Sequence, residues 1–88
     1  MLKMTLSRYA FIVKGPGYVS DEHTVEIRSQ EFNTRVVGVS DFPMALSVVQ
    51  QLIADDIQLI ELCGGFTQSE ADELRALTGD AVPINGVK

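Results

Sequence analysis

The chain reads as a small α/β domain: a mixed, mostly parallel sheet of four to five strands with two flanking helices and a βαβαβ core, in a single unit over residues 1–88. Three observations predict it. Runs rich in β-branched and aromatic residues at 9–13 (Tyr-Ala-Phe-Ile-Val), 35–39 (Arg-Val-Val-Gly-Val) and 57–62 (Ile-Gln-Leu-Ile-Glu-Leu) have the character of buried strands. The second and third runs enclose a helical apolar repeat. The third runs into a glycine turn and another helix start. Strands alternating with helical patterns imply parallel pairing through crossover connections.

The first strand, 9–13, stops at Lys14-Gly15-Pro16-Gly17, because Pro and Gly end regular pairing. Residues 21–29 carry two signals. Val25 and Ile27 alternate with Thr24, Glu26 and Arg28, as in a half-buried strand, whereas Ser20-Asp21-Glu22 resembles a helix cap with acids in the first turn. The β-branched content favours the strand, which makes 29–33 a hairpin loop into a strand at 34–39. Ser40 or Asp41 then caps a helix, with Pro43 in the first turn, where a missing N–H is harmless. Ala45, Val48, Val49, Leu52 and Ile53 repeat as one helical face, which Leu46 widens, and Asp55-Asp56 marks the exit. After the strand at 57–62, Thr67 and Glu70 have capping-box spacing. Ala71, Leu74 and Leu77 or Thr78 form the apolar face of this second helix, Gly79 stops it, and 81–87 is a weaker strand whose Pro83 suits an edge.

Composition narrows the function classes. Net charge is −5, with seven Lys and Arg scattered at Lys3, Arg8, Lys14, Arg28, Arg35, Arg75 and Lys88. No basic face results, so neither nucleic acid nor an anionic membrane is an expected partner. No run reaches the roughly 18 apolar residues of a membrane span. Residues 1–13 hold only a short apolar stretch, broken by Ser7 and Arg8 with no small-residue cleavage site after it, so no signal peptide is read. The single cysteine, Cys63, has no internal disulfide partner, which fits a reducing cytoplasm. A chain this short buries only about 60–65% of its unfolded surface. With two helices for a whole sheet, one face is left under-covered, and self-association into a homo-oligomer is expected.

Candidate chemistry gathers at the strand ends. Cys63-Gly64-Gly65-Phe66-Thr67 offers backbone N–H groups beside a helix start, a combination that favours a small anion. It lacks the spacing of a phosphate loop or a dinucleotide fingerprint, and two glycines also simply permit a tight turn. The position of Cys63 near a helix N-terminus suits a nucleophile, and equally a small buried hydrophobe. Glu61 interrupts the row Ile57, Leu59, Cys63, which a helix is expected to cover. It is read either as an acid/base in a site or as an oligomer contact. Lys14, with Gly15 and Gly17, lies at the same sheet end if the first and central strands run parallel, where Lys14 would meet an anionic ligand or Glu61. His23 is the only histidine and a candidate general base, or ordinary surface. The candidate catalytic set is therefore His23, Glu61 and Cys63, and the ligand-binding set Lys14, Gly15, Gly17, Gly64, Gly65 and Thr67. No cysteine pair or second histidine exists to build a metal site, and the sequence leaves any cofactor unknown.

The stretches Phe-Ile-Val-Lys-Gly-Pro-Gly-Tyr at 11–18 and Glu-Leu-Cys-Gly-Gly-Phe at 61–66, with Val-Val-Gly-Val at 36–39 between them, resemble a family of short bacterial proteins known only as a domain of unknown function. The resemblance covers nearly the whole chain, with 67–88 the least typical part. Members carry a histidine shortly after the first motif, which His23 matches. The resemblance implies a bacterial, cytosolic α/β protein and draws attention to Lys14, His23, Glu61 and Cys63, with no established activity. Two functions remain: a binder of a small anionic molecule, with or without catalysis, or a non-enzymatic homo-oligomeric or interaction module. Convergence of those four residues in one pocket favours the first, and scatter favours the second.

Overall fold

The computed structural model describes residues 5–86. Its elements are β1 (Arg8–Lys14), β2 (Thr24–Arg28), β3 (Asn33–Val39), α1 (Phe42–Ala54), β4 (Leu59–Leu62), α2 (Gln68–Thr78) and β5 (Ile84–Asn85). They form one five-stranded sheet in the order β2-β3-β1-β4-β5. β1 pairs parallel to both β3 and β4, and β4 pairs parallel to β5; only β2, at the edge, is antiparallel. The fold is the expected mostly parallel α/β sheet.

The ambiguous segment is a strand. Val25 lies opposite Val36 and Ile27 opposite Thr34 in the hairpin with β3. The Ser29 hydroxyl accepts from the Glu31 and Phe32 amides and closes the turn. Asp21 and Glu22 sit in the turn before the strand. Asp41 caps α1 by accepting from the Met44 amide at 2.9 Å, with Pro43 in the first turn. Ala45, Val48, Val49 and Leu52 are buried, as the periodicity requires. Arg35 reaches from β3 to Asp55 at 2.8 Å and to Glu26 at 3.3 Å, tying the hairpin to the end of α1.

β4 is shorter than the apolar run suggested, because residues 57 and 58 serve the turn. The Ile57 amide donates to the Leu52 carbonyl, and the Gln58 side-chain oxygen accepts from the Ser7 and Arg8 amides at 2.8 and 2.9 Å. The capping box at Thr67 forms in both directions: the Glu70 amide donates to the Thr67 hydroxyl, and the Thr67 amide to the Glu70 carboxylate. Of the alternatives at the end of α2, Thr78 is half-buried and Leu77 is 53% exposed. Gly79 ends the helix with φ 64°. The last strand is only two residues long, since the preceding Pro83 donates no hydrogen bond and Gly86, at φ 123°, turns tightly against the Leu62 carbonyl. Val87 and Lys88 of the expected final strand, and Lys3, lie outside the described residues.

Both helices pack on the same face of the sheet. There Ala10, Ile12, Val37, Val39, Ile60, Leu62 and Ile84 meet Val49, Leu52, Ala71 and Leu74 in one core. The strand order explains this. The β3-α1-β4 and β4-α2-β5 crossovers step across the sheet in one direction, and crossovers of a single hand stepping one way deliver their helices to one side.

The opposite face carries no helix. Its residues align in register as rows: Ile27, Thr34, Tyr9 and Leu59, then Val25, Val36, Phe11, Glu61 and Asn85, then Gly38 and Val13. This overturns the expectation that a helix covers Ile57, Leu59, Glu61 and Cys63 as one row. Leu59 and Glu61 lie half-buried on the bare face beside the covered Ile60 and Leu62, whereas Ile57 is buried in the core and Cys63 packs against it.

Candidate functional site

The sequence-derived candidates fall into three places. The first is the strand-end cluster on the helix side. Because β1 and β4 run parallel, the loops after them meet, as expected: the Lys14 amide donates to Cys63 Sγ at 3.2 Å, and the Gly65 amide donates to the same sulfur at 3.3 Å. Gly65 is required there, since a Cβ would stand 2.8 Å from the Lys14 carbonyl oxygen. Lys14 does not pair with Glu61. Its ammonium bonds Glu70 at 2.7 Å and lies 5.7 Å from the centre of the Phe66 ring. The Lys14 hydrogen bond, helped by the Thr67 amide, holds the Glu70 carboxyl below the usual range. Glu70 thus already occupies the place an anion would take at the start of α2. Lys14, Gly15, Pro16, Ser40 and Gly65 line a shallow depression of about 320 Å³ beside it. Thr67 serves the helix cap, and an added Cβ at Gly64 or Gly17 would meet only open space.

The second place is the middle of the bare face. Tyr9 donates its hydroxyl to Glu61 at 2.6 Å. Burial first, then the hydrogen bond and negative charge of Glu61, push the Tyr9 phenol up to about 12. Phe32 stacks on Tyr9 with ring centres 6.3 Å apart.

The third place is the carboxyl end of the same face, where Tyr18 lies across Gly15 and Gly38. A Cβ on either glycine would come within 2.9 Å of the ring. His23 tilts against Tyr18 at 5.3 Å, its Nδ1 2.8 Å from the Val19 amide. Val13, Tyr18, Glu22, His23, Val25, Val36 and Gly38 line an open groove of about 320 Å³.

Among the described residues, no hydrogen bond links His23 with Lys14, Glu61 or Cys63, and only Lys14 and Cys63 touch. Sequence reasoning missed Tyr18, Glu22 and Glu70 as parts of these places. The capping box did flag Glu70. Tyr18 had no signal apart from its place beside glycines, which becomes legible only when Gly15 and Gly38 meet beneath its ring. Among the described residues, no cluster of three metal-ligating side chains occurs, and no helix is long and apolar enough to cross a membrane.

Comparison with curated proteins and with solved structures gives no match. The model of a family of unknown function, DUF6506, matches residues 7–88 and includes the segment from Thr67 onward that looked least typical. With almost its entire length matched, the chain belongs to the DUF6506 family of unknown function.

Proposed function

We propose that this protein is a self-associating module in which two copies dock through their helix-free sheet faces. One observation carries the reading: Val25 and Ile27 stand 59% and 62% exposed on a continuous apolar face with Val36, Phe11 and Leu59. Five strands spaced about 4.8 Å apart, with a rise of about 3.3 Å per residue, give this face roughly 20 Å on a side. That plane of about 400 Å² is already within the range of the largest apolar patches on monomers. Side-chain relief and the rim residues Phe32 and Tyr18 bring it toward the roughly 800 Å² per partner of a standard interface. Charge supports a second copy as the occupant. The chain carries −5 overall, yet the ionisable groups in these rows are Tyr9 and Glu61, already hydrogen-bonded to each other. The scatter of Lys14, His23 and Glu61 into separate places also favours a module over a single catalytic centre. The unpaired Cys63 suits a reducing bacterial cytoplasm, where we place the protein.

Sedimentation equilibrium tests this. Burying roughly 100 Å² of Ile27 contributes about 2.5 kcal/mol per copy at 25 cal/mol per Å². Ile27→Lys, at an exposed edge position, is therefore expected to convert a dimer to folded monomer. A wild-type chain that stays monomeric at its highest soluble concentration refutes the reading.

The strand-end depression gives the anionic-ligand function a second, narrower basis. There a small anion competes with Glu70 for Lys14. A thermal shift with inorganic phosphate that disappears in Lys14→Met supports it, and an unchanged melt argues against it.

A further inference from the structure

The pocket between Tyr18 and His23 is built from parts that hold each other in place. The Val19 carbonyl accepts from the Glu22 and His23 amides at 3.0 and 2.8 Å, which uses its lone pairs. The His23 carbonyl in turn accepts from the Gly38 amide at 2.7 Å, clipping this turn onto β3. The Val19 amide donates to His23 Nδ1 at 2.8 Å; the Val19 carbonyl lies 3.1 Å from the same nitrogen, but it already accepts from two amides, which favours Nδ1 as the acceptor. An imidazole whose Nδ1 accepts carries its proton on Nε2. That Nε2–H has no partner among the described residues. Next to it in the chain stands the carboxylate of Glu22, which likewise has none. The floor is apolar, formed by Val13, Val36 and the backbone of Gly38.

A positioned donor beside a free carboxylate, over an apolar floor and against an aromatic ring, defines a complementary ligand. Its edge must present an acceptor next to a donor, and its body must be flat. A full negative charge is opposed by Glu22 and by the acidic chain, and a full positive charge by the Nε2–H. The volume of about 320 Å³ lies at the small end of ligand sites and suits one or two fused rings. We propose that this pocket binds a planar, uncharged heterocycle with an amide-like edge, the chemistry of a nucleobase. The site is complete within one copy, but it shares Val25, Val36 and Tyr18 with the proposed docking face, so a ligand here and a second copy compete for the same surface.

The test titrates the full chain with uracil, adenine and hypoxanthine, using benzoate and benzylamine as charged controls, and follows backbone amide resonances. At least one heterocycle is expected to shift Gly38, Val13 and Val25, with neither charged ring doing so. His23→Ala should weaken the effect about two- to tenfold, the loss of one directional hydrogen bond from a solvent-exposed side chain. Should His23→Ala loosen the turn, Glu22→Gln keeps the test intact, because the Glu22 side chain bonds nothing in the protein. It should weaken the heterocycle and admit benzoate. Tyr18→Phe, which keeps the ring over Gly15 and Gly38, should bind within about twofold of wild type. Heterocycles that cause no shift, shifts centred away from Gly38, or affinities unchanged in Glu22→Gln each overturn the proposal.

Discussion

Gly38→Ala isolates the contact on which the carboxyl end of the bare face is built. The new Cβ would stand 2.9 Å from Tyr18 Cγ, 3.0 Å from Cδ2 and 3.2 Å from His23 Cβ. The Gly38 backbone is ordinary strand, so conformational strain is not at issue and the cost is steric. Overpacking a fixed contact costs about 1–3 kcal/mol. Tyr18 is 38% exposed and can lift outward, which places the steric cost near 1.5–2 kcal/mol on that scale. Alanine in a strand recovers about 0.5 kcal/mol relative to glycine. The net loss is then about 1–1.5 kcal/mol, a melting shift of roughly 4–8 °C per kcal/mol for a domain of this size. With Tyr18 truncated to alanine only the 3.2 Å approach to His23 Cβ remains, and the same Gly38→Ala change should cost clearly less. Urea melts of wild type, the two single variants and the double variant, at one protein concentration, give the coupling directly. Equal costs of Gly38→Ala in both backgrounds would refute the claim that this glycine exists to seat the tyrosine ring.

Two titrations follow from the other places. The Tyr9 phenol is raised in the fold, so its contribution to stability is complete below the ordinary tyrosine value and drains away as pH rises through about 12. Wild type should show a late phenolate transition and an alkaline stability loss, both missing from Tyr9→Phe; an alkaline limb shared by the two proteins would contradict the Tyr9–Glu61 assignment. Glu70 is depressed, so its contribution is complete above the ordinary glutamate range and is lost as pH falls below about 4.3 toward the folded value. Glu70→Gln should cost about 1 kcal/mol at neutral pH, the scale of a helix cap, and flatten the acid limb of the stability curve. An acid limb identical to wild type would show that the contact with Lys14 contributes nothing.

The local elements were legible because their causes are local. Asp41, Pro43 and the apolar repeat from Ala45 to Leu52 specify α1 without reference to the rest of the chain. Thr67, Glu70 and Gly79 do the same for α2. Even the ambiguous residues 21–29 yielded to the alternation of Val25 and Ile27, because alternating apolar residues suit one face of a strand. The strand ends were harder to place. Ile57 and Gln58 look like strand residues but are held by Leu52 and by the start of β1, partners far away in the chain.

The sequence by itself determined the kinds and order of the elements, the parallel core and the meeting of the loops after Lys14 and Leu62. Only the tertiary structure decided which groups became neighbours. The order β2-β3-β1-β4-β5 makes both crossovers step the same way, stacks both helices on one side and leaves Val25, Ile27, Phe11 and Glu61 on a bare face. The same order brings Gly15 and Gly38 under Tyr18, and gives Lys14 to Glu70 instead of Glu61. Periodicity reports which residues of an element share a face. It carries no information about which strand lies alongside, and in a sheet that choice of neighbour decides which face is buried and which side chains meet.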